Sequence, residues 1–160
     1  MYAFDIASDA PKSELYANLL SAADALTGGE PDGIANMANI SALLWQFLPD
    51  LNWAGFYRMV DDELVLGPFQ GKAACIRIPL DKGVCGAAAR EAQTQRVDDV
   101  HAFPGHIACD ADSRSELVVP VLRGSVVIAV IDLDSPRPAR FDEDDAQGIE
   151  ALALLLADRI

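Results

Sequence analysis

The apolar run Val126 to Ile131 has the length of a β-strand. It falls far short of the ~20 residues that a membrane-spanning helix needs. Continued to Leu133, it stands against Leu117 to Leu122 across Arg123-Gly124-Ser125, and Pro136 and Pro138 close its far end. That pattern predicts a hairpin. A lone hairpin is marginal in water, so the remaining chain must supply further strands and covering helices.

It supplies both. Trp53 to Val60 is aromatic-rich, follows the break Pro49-Asp50-Leu51-Asn52, turns at Asp61-Asp62 and returns as Glu63 to Phe69. Gln70-Gly71-Lys72 opens a loop, and Cys75 to Ile78 reads as a short strand. There Ile76 and Ile78 alternate with Cys75 and Arg77, which sets the thiol opposite the isoleucine face. Ser13 to Leu26 reads as a helix with Leu15, Leu19, Ala22, Ala23 and Leu26 inward, stopped by Gly28-Gly29. A second helix starts at Pro31-Asp32, carries the stripe Ile34, Met37, Ala38, Ser41, Leu44, Trp45 and Leu48, and ends at Pro49. After a turn over Pro79 to Gly83, Val84 to Ala92 makes a small-residue helix with Cys85 in its first turn. Asp142 caps a last helix. Its first turn holds Glu143, Asp144 and Asp145, its inward side chains are Ile149, Leu152, Leu155 and Leu156, and Arg159 closes it. Arg96 to Ser115 shows little periodicity and reads as a lid or binding loop. The expected fold is α+β: a mostly antiparallel central sheet covered by helices, in a single domain over residues 1–160.

The formal charge is −13, from 12 basic and 25 acidic residues, which disfavours nucleic acid and anionic membranes as partners. The start, Met1-Tyr2-Ala3-Phe4-Asp5-Ile6, lacks the order of a secretion signal, so a cytoplasmic, reducing compartment is expected. In such a compartment reachable cysteines are more often catalytic or metal-binding than structural.

The three cysteines, Cys75, Cys85 and Cys109, follow the spacing C-x9-C-x23-C beside small or helix-breaking residues. Small buried hydrophobes are the plain alternative for free cysteine. Against it, Cys85 starts a helix, where the dipole lowers a thiol pKa, and Cys109 lies in the long loop beside Asp110. Several reachable thiols point to thiol–disulfide chemistry, in which one attacks and a second resolves the oxidised intermediate. His101, His106 and Cys109 also form H-x4-H-x2-C, to which Asp110 adds an oxygen. Zinc sites offer tighter pairs and no C-x2-C is present, so loop packing is the plainer reading of the histidines and no metal is expected.

Asp132 and Asp134 share a face at the end of the most apolar strand. With the hairpin centred on Gly124, Glu116 stands opposite Asp132; a shift by one residue sends it to the other face. On the first register three carboxylates converge, and crowding keeps at least one protonated near neutral pH. The alternative is a solvated strand end. Trp53 and Tyr57, four apart on one strand, either wall a pocket or belong to the ordinary core.

Several strings together resemble the free methionine-(R)-sulfoxide reductases, which are single GAF domains. They are Gly67-Pro68-Phe69-Gln70-Gly71-Lys72, Gly83-Val84-Cys85-Gly86, His101-Ala102-Phe103-Pro104-Gly105-His106-Ile107-Ala108-Cys109-Asp110, Ser113-Arg114-Ser115-Glu116 and Asp132-Leu133-Asp134-Ser135. The match covers about Asn52 to the carboxyl terminus. It departs from the family pattern at Ala73 and near Leu80, positions expected to lie clear of the chemistry. The resemblance implies a GAF-like fold and a cytoplasmic, homodimeric enzyme that uses no cofactor. Its substrate is free L-methionine-(R)-sulfoxide, and thioredoxin restores it.

Carried over by position, Cys109 matches the nucleophile, and Cys75 and Cys85 match the other two thiols. Trp53 and Tyr57 match the aromatic pocket, and Glu116, Asp132 and Asp134 match the acidic cluster. The implied chemistry runs through a Cys109 sulfenic acid to an intramolecular disulfide. The resolving thiol is Cys75 or Cys85, with Cys75 favoured by its strand face and by the match. A non-catalytic GAF sensor for a small ligand is the alternative function.

Overall fold

The computed structural model describes residues 11–105 and 111–160. His106, Cys109 and Asp110, and the amino-terminal stretch read for a secretion signal, lie outside the described residues.

Six strands form one sheet: β1 (Trp53–Val60), β2 (Glu63–Gly71), β3 (Arg77–Ile78), β4 (Gln95–Val97), β5 (Ser115–Arg123) and β6 (Val126–Ser135). They lie in the order β3-β2-β1-β6-β5-β4, and every neighbouring pair is antiparallel. Helices α1 (Lys12–Thr27), α2 (Gly33–Phe47) and α4 (Glu143–Leu156) belong to the core on one face, and α3 (Gly83–Glu91) packs on the other.

Strand alternation sorts the side chains between two cores. Ala54, Phe56, Leu117, Val119, Ile131 and Leu133 meet α1, α2 and α4. Trp53, Tyr57, Val118 and Val130 turn the other way, toward Val84, Cys85 and Ala88 of α3. Because the sheet is covered on both faces, most of β5 and β6 is buried. A doubly covered strand reads as a continuous apolar run, which accounts for Val126 to Ile131.

Local chemistry fixes the helix starts. The Asp32 carboxylate accepts from Ile34 N and Ala35 N at 2.9 Å each, satisfying two donors that open α2. Asp142 and Asp145 close a reciprocal capping box on α4. Asp145, fully buried, also accepts from Tyr16 Oη at 2.8 Å, Lys12 Nζ at 2.6 Å and Arg140 Nη1 at 3.1 Å. This clasp ties α1 to the start of α4. Burial raises the Tyr16 hydroxyl pKa, with Asp145 adding to it.

Four local expectations are corrected. Met37, Ser41, Leu44 and Leu48 of the expected α2 stripe are buried, but Ile34 and Trp45 are 49% and 41% exposed and Ala38 is exposed too, while Ile40, Leu43 and Phe47 complete the inward face. Strand β2 continues to Gly71 rather than opening a loop at Gln70. Only Arg77–Ile78 pairs as β3, and Ile76 is 70% exposed while Ile78 is buried, so no isoleucine face exists. The stretch from Arg96 to Ser115 is not one loop. It holds most of β4, paired with β5, and a 3-10 turn at Val100–Ala102 whose His101 N donates to the Asp99 carboxylate.

Candidate active site

The site is built on β1, β5 and β6, on the face that α3 covers. A two-residue turn at Gly124-Ser125 closes the β5–β6 hairpin with Arg123 opposite Val126, and Gly124 takes φ +63° there at no steric cost. A bulge between Val121 and Leu122 then advances the register. Glu116 therefore stands opposite Asp134, and Val118 opposite Asp132. The expected pairing of Glu116 with Asp132 is displaced by two residues. An even displacement preserves the face, so the three carboxylates do share one side of the sheet. On the other flank of β6, Trp53 pairs with Asp134, Gly55 with Asp132 and Tyr57 with Val130.

These residues line one cavity. Trp53, Tyr57, Cys85, Glu116, Asp132 and Asp134 contribute to it, together with Lys72, Ala73 and Ser113. The aromatic wall is a stack: Trp53 lies 5.7 Å from Tyr57 and 5.2 Å from Phe69, ring centroid to centroid. Gly55 makes room for it, since a Cβ there would stand 2.4 Å from Phe69 Cβ. Polar tips fasten the segment before β3. Trp53 Nε1 donates to Lys72 O at 3.1 Å and Tyr57 Oη donates to Cys75 O at 3.0 Å. Asn52 Nδ2 donates to Ser113 Oγ at 3.0 Å on the opposite lip. Lys72 and Asp112 form an ion pair between the two lips; both are well exposed, so it contributes about 1 kcal/mol or less.

The cavity floor is acidic and little exposed. Glu116 and Asp132 are only 6% and 5% exposed, and Asp134 is half-buried. Burial drives the Glu116 carboxyl well above its usual pKa, and the negative charges of Asp132 and Asp134 push it further. Burial raises Asp132 to about 7, with a small opposing pull from its hydrogen bond to Cys85. Tyr57 is raised by burial first and by the Asp132 charge second.

Cys85 is a free, buried thiol whose Sγ donates to Glu116 Oε1 at 3.8 Å. The expectation that its helix position lowers its pKa is overturned. Burial, followed by the charges of Asp132 and Glu116, pushes the thiol well above its ordinary value. A helix start favours a thiolate by a fraction of what transfer out of water beside two carboxylates costs. Cys85, Glu116 and Asp132 also offer three ligand atoms that lie within 4.8 Å of one another.

Cys75 packs against the core on the α3 face and is disulfide-bonded. Cys109 lies outside the described residues. His101 is exposed on its 3-10 turn. Three residues of the site escaped sequence reasoning. Phe69 and Lys72 were visible only as parts of a motif, although Gly55 between Trp53 and Tyr57 signals a close approach from a neighbouring strand. Ala73, expected to lie clear, lines the cavity.

The GAF domain family model matches residues 37–160. The free methionine-R-sulfoxide reductase of Escherichia coli is 52% identical over 145 residues, covering 91% of this chain and 88% of that protein. The X-ray structure of free methionine-R-sulfoxide reductase from Neisseria meningitidis in complex with its substrate superposes with a TM-score of 0.93 at 44% identity, over 99% of this chain and 95% of the other. A putative GAF sensor protein from Burkholderia vietnamiensis superposes with a TM-score of 0.90 at 58% identity, over 94% and 96%.

Proposed function

This chain belongs to the GAF-domain family, among the free methionine-R-sulfoxide reductases, and we propose that it reduces free methionine-(R)-sulfoxide with its buried carboxylates as the proton source. The observation that carries the reading is the buried acidic floor under an aromatic wall. Glu116 and Asp132 are both buried and both hold protons unusually far up the pH scale. A sulfoxide oxygen needs a proton as its bond to sulfur breaks, and a buried carboxyl that keeps its proton near neutral pH can donate it.

In the proposed sequence the Cys109 thiolate attacks the sulfoxide sulfur, and a carboxyl of the Glu116–Asp132 pair donates to the oxygen. Thiolate, proton and sulfoxide together yield methionine and a Cys109 sulfenic acid. The Cys75 thiol then condenses with the sulfenic acid to form a disulfide and release water. Thioredoxin reduces that disulfide by exchange, becoming oxidised in turn. Two facts support Cys75 over Cys85 as resolver: Cys75 is disulfide-bonded, and Cys85 is buried with a raised thiol pKa. Trp53 and Tyr57 pack the substrate methyl and so sense the configuration at sulfur. The acidic cluster receives the free ammonium, which a peptide amide lacks.

The similarity to a protein described as a sensor supports one alternative, ligand binding without thiol chemistry. Counting free thiols separates the two. Pre-reduced protein given the resolved R epimer should lose a pair of thiols and release methionine, and NADPH with thioredoxin reductase and thioredoxin should restore turnover. Cys109→Ser should bind the sulfoxide and release nothing. Unchanged thiols with wild-type protein would establish the sensor reading.

A further inference from the structure

We propose that Cys85, Glu116 and Asp132 form a site for a thiophilic divalent cation of the zinc class, which excludes the sulfoxide while it is bound. One ligand atom from each residue lies within 4.8 Å of the other two. The spacing suits a metal. With Zn–S near 2.3 Å and Zn–O of ~2.0–2.2 Å, tetrahedral angles set sulfur and oxygen about 3.5 Å apart. Cys85 Sγ and Glu116 Oε1 stand at 3.8 Å, close to that separation, and no pair of the three ligand atoms is more than 4.8 Å apart.

A second observation points to a missing ligand. Asp132 Oδ1 is buried and has no hydrogen-bond partner among the described residues, while the Asp132 side chain lines the cavity. Buried carboxylate oxygens are nearly always satisfied, by protein, water or an ion. Here the orphaned oxygen sits beside a thiol and a second carboxylate.

Charge and rigidity argue the same way. Lys72, the cation that lines the cavity among the described residues, is already paired with Asp112. A dication would balance three acidic groups that cannot ionise together unaided. The ligands project from α3, β5 and β6, three packed elements rather than a loop. On entry of the ion the thiol and carboxyls release their protons to solvent, as metal ligands must. Sulfur selects zinc-class ions. Calcium wants 6–8 oxygens and magnesium an oxygen octahedron, so neither fits. These ligands are distinct from the His101, His106 and Cys109 set weighed from sequence. The ion site stands on its own geometry; the exclusion of substrate rests on the function proposed above.

Cobalt(II) tests it, with the reduced Cys75→Ser/Cys109→Ser protein, in which Cys85 is the remaining thiol and no sulfoxide chemistry occurs. Cobalt should produce a thiolate-to-metal charge-transfer band that zinc abolishes and magnesium does not. Adding Cys85→Ser should remove the band. Adding the near-isosteric Asp132→Asn should weaken cobalt binding about tenfold or more, each variant being checked for its fold by circular dichroism. Absence of the band in the double variant overturns the site. So does a band indifferent to Asp132→Asn, a comparison that holds even if Cys85→Ser fails to fold. Free methionine-(R)-sulfoxide should then displace cobalt and bleach the band. A band that survives saturating sulfoxide overturns the exclusion, and with it the placement of substrate on these carboxylates, but leaves the ion site standing.

Discussion

Asp132→Asn should stabilise the fold, and by more as the pH rises. The Asp132 carboxyl is pushed from 3.8 to about 7, chiefly by burial. The unfolded chain releases the same proton near ~3.9. Between those values the native state holds a proton that the unfolded state has lost, so stability falls as pH rises. The contribution is fully present below the unfolded value and is gone above the folded one. Each pH unit in that window costs about 1.4 kcal/mol, giving about 4 kcal/mol over the whole of it. That is a large share of the roughly 5–15 kcal/mol that holds a domain together. Asparagine has nearly the same shape and cannot ionise. It also removes the negative charge that, after burial, most raises Glu116. Urea unfolding at about pH 4 to about pH 8, with reductant and EDTA present, measures the difference, from which the thiols common to both proteins largely cancel. The advantage of Asp132→Asn over the wild type should grow by about 4 kcal/mol across that range. An advantage constant with pH would refute the buried-acid reasoning.

Glu116→Gln should slow methionine release in a single turnover by about a hundredfold or more while binding changes little, and the wild-type rate should fall as pH rises past the acid's pKa. Release at the wild-type rate at every pH would remove Glu116 as donor. Asp145→Ala should cost about 3–5 kcal/mol in urea unfolding, because it strips the α4 capping box and leaves Tyr16, Lys12 and the little-exposed Arg140 without their shared partner. Gly55→Ala should cost about 1–3 kcal/mol and raise KM more than it lowers kcat, since the new Cβ displaces Phe69 from the Trp53 stack.

Much of the fold was legible because strand and helix punctuation is local. Asp61-Asp62, Gly124-Ser125 and Asp142 mark their turns and cap wherever the tertiary structure places them. Facing was harder to read. On α2 both Ile34 and Leu43 are apolar, and only the packing against α1 and the sheet decides that Leu43 is buried and Ile34 is not. The short β3 failed for a similar reason: Ile76 is as apolar as Ile78, yet two paired residues are too few to impose alternation. The reactivity of Cys85 was misread because helix position is visible in sequence and desolvation is not. Trp53 and Tyr57 were read correctly as sharing a face, and pocket wall against core proves to be no choice, since they form a cavity wall and also belong to the core beneath α3.

The acidic cluster itself depends on one extra residue. The turn at Gly124-Ser125 sets Arg123 opposite Val126, and unbroken pairing from there would bring Glu116 opposite Leu133. Directly opposed residues point to the same side of a sheet. Glu116 would then be driven into the core of Leu133, Ile149 and Leu152, where a lone carboxylate has no partner. The bulge at Val121 and Leu122 adds the residue that returns Glu116 to the side of Asp132 and Asp134. The expected register named the wrong partner but the right face, because two one-residue steps cancel in the parity of the strand. The turn and the bulge therefore act together: either alone would separate the acids, and both are needed to set two buried carboxyls beside Cys85 under the Trp53 stack.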